Sequence, residues 1–373
     1  MRILVVQTAF LGDVVLTTPL LRELRRVHPR ASLWVLTTQT GSGVLADRSA
    51  ADQVLVLDKR WDRAGRRSCR KVLRQLTRER FDAAVAAHRS VRTGVLVRLS
   101  GAPLRVGFAR APGAWAYNQR VVWDAGKHAA ERYLDLAGPL GGQPTRADPR
   151  PKLASSPAAD RRVRKLLRAQ GISPNCEILC LAPGSVWATK RWVPEGFAEV
   201  LQASRRLGLT PLLIGSPDER QLCEQVNALA GKPAPVLAGQ TGVRELIALL
   251  ARARVLVGND SGPAHVASAV GTPVVSIFGS TAPAMGYAAF GLRTRIVEHP
   301  ALACRPCGRH GAHVCPLEHF RCMREIRPAA VIERLTELLG ATRPDRRVRE
   351  AAVQPRLSAS GRIGQPPAVV VPG

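Results

Sequence analysis

Residues 258–265 read Gly-Asn-Asp-Ser-Gly-Pro-Ala-His and place a carboxylate (Asp260), a hydroxyl (Ser261) and an imidazole (His265) within six positions. An apolar run precedes them, and Val266 to Val270 follow with helix-compatible spacing. This is the pattern of a strand, a tight polar turn and a helix start. A helix N-terminus presents unpaired N–H groups and a partial positive charge, so it attracts phosphate. A turn of this kind can hold a phosphorylated ligand and act on it. The competing reading is a capped strand-to-helix loop, with Asp260 or Ser261 serving only as N-cap.

Three further loops carry comparable chemistry. Residues 7–13 end in Gly12-Asp13, where the glycine permits a tight turn and the aspartate can serve as a general base or simply as an N-cap. Residues 183–192 combine small residues, the hydroxyls of Ser185 and Thr189, and Lys190. That composition suits a phosphate cradle; a surface loop with a solvated Lys-Arg pair is the plainer alternative. The order G-x-x-x-x-G-K-[ST] is absent, as is G-x-G-x-x-G, so neither a Walker loop nor dinucleotide binding is supported. Residues 215–219 bring Glu219, which can accept hydrogen bonds from ribose hydroxyls or merely favour a helix dipole. Finally, Cys304, Cys307, Cys315 and Cys322 occur with His310, His313 and His319. Four thiols can hold a structural zinc ion, although this spacing fits no standard finger. A reduced-thiol loop or a redox-labile pair is the alternative.

These loops need a scaffold, and the hydrophobic pattern supplies one. Apolar runs at 3–7, 33–36, 54–57 and 83–86 read as strands, with helices expected over 14–27 and 70–80. The second half repeats the alternation. Strands are expected at 178–182, 211–214, 254–257 and 274–278, and helices at 160–170, 195–207, 218–230, 244–251 and 264–269. Alternating elements imply parallel sheets with helices on both faces. Pro- and Gly-rich residues 138–159 punctuate the chain between the halves. The expectation is an α/β protein of two doubly wound domains, 1–150 and 160–340, facing a cleft where ligands meet the strands' carboxyl ends. Residues 341–373 hold five prolines, six arginines and two acids, which suggests a disordered basic tail.

The net charge of +27 raises nucleic-acid binding as a function class. Only seven of the 55 cationic residues are lysines, a bias that a GC-rich gene produces by itself. The arginines are scattered and no aromatic-interleaved basic stripe is present, so nucleic acid is not expected as a partner. Attraction to anionic lipid headgroups or to an anionic acceptor remains a consequence. No apolar run approaches a membrane span, and the N-terminus lacks a signal-peptide pattern, so a cytoplasmic location is expected.

With these four loops in this order, the sequence resembles the ADP-heptose:lipopolysaccharide heptosyltransferases, most closely the heptosyltransferase II-like branch. The likeness runs over about residues 1–340. It implies a GT-B architecture of two Rossmann-like domains, the N-terminal one for acceptor and the C-terminal one for donor, with the last helix able to pack back on the N-terminal domain. It implies an inverting, metal-independent transfer from ADP-heptose to a lipid A–core oligosaccharide, peripherally at the inner face of the inner membrane. By motif match, Asp13 would be the general base, and Lys190, with Ser185 and Thr189 nearby, would neutralise the diphosphate. Glu219 would hold the adenosine ribose. Asp260 would orient sugar hydroxyls, and Ser261, Gly262 and His265 would line diphosphate and sugar. The alternatives are the same fold with another nucleotide-sugar or glycan acceptor, and a non-catalytic basic protein that binds nucleic acid or membrane.

Overall fold

The computed structural model describes residues 1–46, 50–60, 62–308 and 310–340. The expected basic tail, 341–373, lies outside the described residues.

The N-terminal half runs β1 (Arg2–Val6), α1 (Leu11–Val27), β2 (Ser32–Thr37), α2 (Gln39–Val44), β3 (Gln53–Val56), α3 (Arg63–Arg78), β4 (Ala83–Ala86), α4 (Val91–Leu99), β5 (Leu104–Phe108), β6 (Gln119–Val121) and α5 (Ala129–Asp135). The C-terminal half runs α6 (Pro157–Ala169), β7 (Ile178–Ala182), α7 (Pro194–Arg206), β8 (Thr210–Leu213), α8 (Arg220–Leu229), α9 (Val243–Arg252), β9 (Val255–Asn259), α10 (Gly262–Ala269), β10 (Val274–Phe278), β11 (Thr294–Glu298), α11 (Arg321–Arg324) and α12 (Pro328–Gly340).

The strands form two parallel sheets, ordered β3-β2-β1-β4-β5-β6 and β11-β10-β9-β7-β8. β1 lies between β2 and β4, and β7 between β8 and β9, so each sheet reverses its strand order beside the strand that opens it. Such a reversal opens a crevice at the strands' carboxyl ends. Burial on both faces explains why β4 and β7 read as unbroken apolar runs, and why β1 after Arg2 and β10 apart from Ser276 do the same. Right-handed crossovers put α1 and α2 on one face of the first sheet and α3 and α4 on the other. The first pair meets the second domain, through α1 on α10 and α2 on α9.

The chain leaves the first domain through a turn at Gly138–Leu140, and α6 starts at Pro157 with Ser156 capping Ala159 N–H. Helix α12 departs from expectation. It does not pack back on the N-terminal domain; Val331, Leu335 and Leu338 join Val255, Val257, Val275 and Ile277 beneath the second sheet. The apolar stripe of α12 matches the exposed face of that sheet between α7 and β11, which lies nearest in the chain.

Candidate active site

The carboxyl ends of both sheets open onto one cavity of about 790 Å³. From the N-terminal domain its wall takes Phe10, Gly12, Asp13 and Lys59; from the C-terminal domain it takes Gly184, Ser185, Lys190, Glu219, Asp260, Ser261, Gly262 and His265. The structure therefore brings together eight of the nine residues singled out from the sequence, and they come from four separate strand-end loops.

The helix starts of α1 and α10 meet here. A Cβ on Gly12 would stand 2.6 Å from Cδ2 of His265, and one on Gly262 would stand 2.9 Å from Cδ2 of Leu11. Only glycine permits this approach, which sets the imidazole of one domain against the first turn of α1 in the other. Ser261 occupies the N-cap of α10 but makes no capping bond with its side chain. Its hydroxyl is buried and has no partner among the described residues. Asp260 does not cap the helix either. The turn is thus not a self-satisfied capped loop, and the Ser261 hydroxyl is left for a ligand.

Asp260 is held otherwise. Its Oδ2 pairs with Lys190 Nζ at 2.5 Å and accepts from Thr281 Oγ1 at 2.8 Å. The pair is largely shielded, with side-chain exposures of 14% for Lys190 and 7% for Asp260. Asn259, just before it, ties its turn to both ends of the 183–192 loop: its Oδ1 accepts from Trp192 N–H and its Nδ2 donates to Pro183 O. Glu219 accepts Ser216 N–H through Oε2 at 2.8 Å and packs against Gly184, so one oxygen closes its own turn.

Thr189 is placed elsewhere. Its hydroxyl donates toward Ala312 O and accepts Ala312 N–H at 2.7 Å, and Ser280 Oγ stands 3.0 Å away. It clips residues 311–312 to the 188–190 turn and does not reach the cavity. The cysteine-rich segment thereby folds over the cleft, with His313 against Trp187 and His310 against Phe10. Burial pushes the Cys307 thiol up, with Cys304 and Cys315 adding to it, and Cys322 rises to about 11. Among the described residues no group of three His, Cys, Asp or Glu side chains stands in a metal-holding arrangement. Cys307 Sγ instead donates to Cys304 O.

Asp13 lies in the first turn of α1, and its Oδ1 accepts from Tyr133 Oη at 2.7 Å. Burial raises its pKa above the usual aspartate range, opposed first by the Tyr133 hydrogen bond and then by His310. Tyr133 in turn interacts with the Tyr287 hydroxyl from the other domain. Lys59 Nζ donates to Thr8 O at 2.8 Å; burial lowers its pKa, and nearby Asp13 opposes that shift. Burial lowers His265 and His88 to about 4, so both imidazoles are neutral at pH 7. Tyr133, Tyr287, Lys59 and Thr281 carried no signal in the sequence, because each reaches the site from an element with no motif of its own.

A family model described as glycosyltransferase family 9 (heptosyltransferase) matches residues 69–315. Lipopolysaccharide heptosyltransferase 3 of Escherichia coli is 27% identical over 286 residues, which cover 73% of this chain and 82% of that protein. A glycosyltransferase family 9 structure from Veillonella parvula superposes with a TM-score of 0.78 at 22% identity, covering 91% of this chain and 97% of the other. The structure of Escherichia coli ADP-heptose lipopolysaccharide heptosyltransferase II gives a TM-score of 0.73 at 23% identity, covering 91% and 99%. Two Rossmann-like domains closing on a shared cleft make this a GT-B glycosyltransferase fold, and the chain belongs to glycosyltransferase family 9, the heptosyltransferases.

Proposed function

We propose that the protein transfers a heptose from ADP-L-glycero-D-manno-heptose to the inner core of lipopolysaccharide, with inversion and with Asp13 as general base. The observation that carries this reading is the opposition, across one cavity, of a carboxylate with raised pKa and a lysine held beside a helix start. The relatives' names supply the donor and acceptor class; the chemistry below uses this chain's residues.

An acceptor hydroxyl attacks the anomeric carbon, the bond from that carbon to the β-phosphate oxygen breaks, and the electron pair leaves with ADP. The hydroxyl proton passes to Asp13. A single displacement of this kind inverts the centre and needs the base on the face opposite the leaving group. Tyr133 holds Asp13 in place with a neutral donor, so the carboxylate keeps its basicity. On the far side, Lys190, the unpaired Ser261 hydroxyl and the α10 N-terminus receive the growing charge of the diphosphate. Asp260 aims Lys190 and offers its other oxygen to sugar hydroxyls, while Ser185 and Gly184 let backbone approach the phosphates. Glu219 has one oxygen outside its own turn to take the ribose. His265 stays neutral between the two helix starts, where an imidazolium would compete with Lys190. With this charge supplied by protein groups, the transfer needs no metal, and the cysteine-rich loop has a structural role whether or not its thiols hold zinc.

The test is ADP release from ADP-heptose with truncated lipopolysaccharide acceptors, with and without chelator, and the product's anomeric configuration by NMR. Turnover that survives chelation with an inverted product supports the reading. A retained configuration, or turnover only with a different nucleotide-sugar, overturns it. Elemental analysis of the purified chain decides between bound metal and free thiols.

A further inference from the structure

Helix α3 carries seven cations and no acid between Arg63 and Arg78. It buries only Gly65, Val72 and Leu76, and all seven cationic side chains point to solvent. None of the seven makes an ion pair with any described residue. Of the nearby acids, Asp58 is bound by Arg60, Asp62 caps α3 and pairs with Arg60, and Glu79 after the last turn makes no ion pair with the helix among the described residues. The positive charge of this face is therefore uncompensated.

Helix α4 packs beside α3. Along it Val91, Val95 and Leu99 recur every fourth residue and are 54%, 37% and 44% exposed. A side-chain row at that spacing lies on one face of the helix. The turn at Ala114–Ala116 packs on α4 and adds Trp115, which is 58% exposed. Both helices lie on the sheet face turned away from the second domain, so docking there leaves the interdomain cleft unobstructed. Their N-terminal ends rise from the same strand edge as the cavity, beside Lys59 and His88.

We propose that α3 and the exposed row of α4 form a docking surface for an anionic lipid bilayer. Cations draw the protein to anionic headgroups, and a short apolar row entering the interface adds the second contribution that stable peripheral binding requires. Helix α6 provides the contrast. It is also arginine-rich, yet it has no exposed large apolar neighbour, and its Arg162 is paired with Glu245. Nucleic acid would use the charge of α3 but gain nothing from the valines and leucine of α4. The proposal deepens the acceptor reading above: a sugar acceptor anchored by lipid enters the cleft while its acyl chains stay in the leaflet.

The experiment uses the full chain, with vesicles of phosphatidylcholine alone and of phosphatidylcholine with phosphatidylglycerol. Binding is expected only to the anionic vesicles and should weaken as salt rises. The triple variant R66E/R70E/R74E should lower partitioning at least about 100-fold. The variant V91S/V95S/L99S should lower it about tenfold and leave its salt dependence unchanged. Both variants should keep the parent Tm and the parent ADP release with a water-soluble, deacylated acceptor. Unchanged partitioning of the charge-reversed protein overturns the proposal, as does duplex nucleic acid that displaces the protein from anionic vesicles. Vesicle binding that persists while no acceptor supports ADP release would sink the transfer reading alone and leave the docking surface standing.

Discussion

On the N-terminal wall of the cleft a carboxylate, Asp13, is held by the neutral hydroxyl of Tyr133; on the C-terminal wall a second carboxylate, Asp260, is held by the ammonium of Lys190 and the hydroxyl of Thr281. The residue type is the same and the consequences are opposite. Burial without a direct ion pair raises the pKa of Asp13 and preserves its appetite for a proton. Pairing with Lys190 neutralises Asp260 and turns it into a fixture that aims a positive charge. In the proposed transfer, the N-terminal wall would supply the proton acceptor and the C-terminal wall the charge for the leaving group. Keeping the two carboxylates on separate domains prevents Lys190 from quenching the base.

The largest test of this division is Asp13→Asn. It preserves shape and removes the base, so kcat should fall about 10³-fold while ADP still binds. Calorimetric titration with ADP and an ADP-release assay measure the two halves of that statement. Retained turnover would move the proton transfer elsewhere.

Lys190→Met attacks the other wall. Turnover should fall about 100-fold through lost leaving-group stabilisation. Stability should also fall, by about 3 kcal/mol, because Asp260 becomes a shielded charge without its cation. Adding Asp260→Asn should return most of the Tm and none of the turnover. If Tm and turnover recover together, the pair is purely structural and the comparison fails.

Tyr133→Phe sharpens the contrast. The tyrosine hydrogen bond lowers the pKa of Asp13 against the effect of burial. Without it Asp13 should titrate higher, moving the acid limb of kcat/KM to higher pH. The loss should be about tenfold at the acid end and small on the alkaline plateau. A uniform loss at every pH would mark a packing role only.

A separate effect concerns stability against acid. His265 and His88 titrate at about 4 in the folded chain, against 6.5 for an exposed histidine. Between those values the unfolded chain binds more protons, so stability is full above pH 6.5 and declines as pH falls toward 4. Each histidine should contribute roughly 3 kcal/mol to that decline. Replacing His88, which lies in the N-terminal domain alone, by Gln should flatten the curve by about half; urea midpoints across this range would show it.

The scaffold was legible where burial imposes a pattern. Strands β4, β7 and β10 have the bounds expected from their apolar runs, because a strand covered on both faces has little choice of composition. Strands β5 and β6 were not legible: one contains Arg105 and Gly107, and the other is three residues at the sheet edge. Helix α3 was expected from residue 70 and starts at Arg63, since its first turns are cationic and carry no apolar stripe to detect. The four strand-end loops were legible because glycines, hydroxyls and acids cluster there against apolar flanks.

What the sequence determined by itself is therefore local: two α/β halves, four polar loops at strand ends, and the residue types that could hold a nucleotide-sugar. Only the tertiary structure decided how those residues are employed. Tyr133 reaches Asp13 across 120 positions of chain. Lys190 reaches Asp260, and Thr189 turns from the cavity to clip Ala312. Helix α12 settles on the second sheet and leaves the first domain alone. Composition and periodicity report which groups a segment must bury or expose. Partnerships between distant segments depend on how the domains pack, and no local pattern records that.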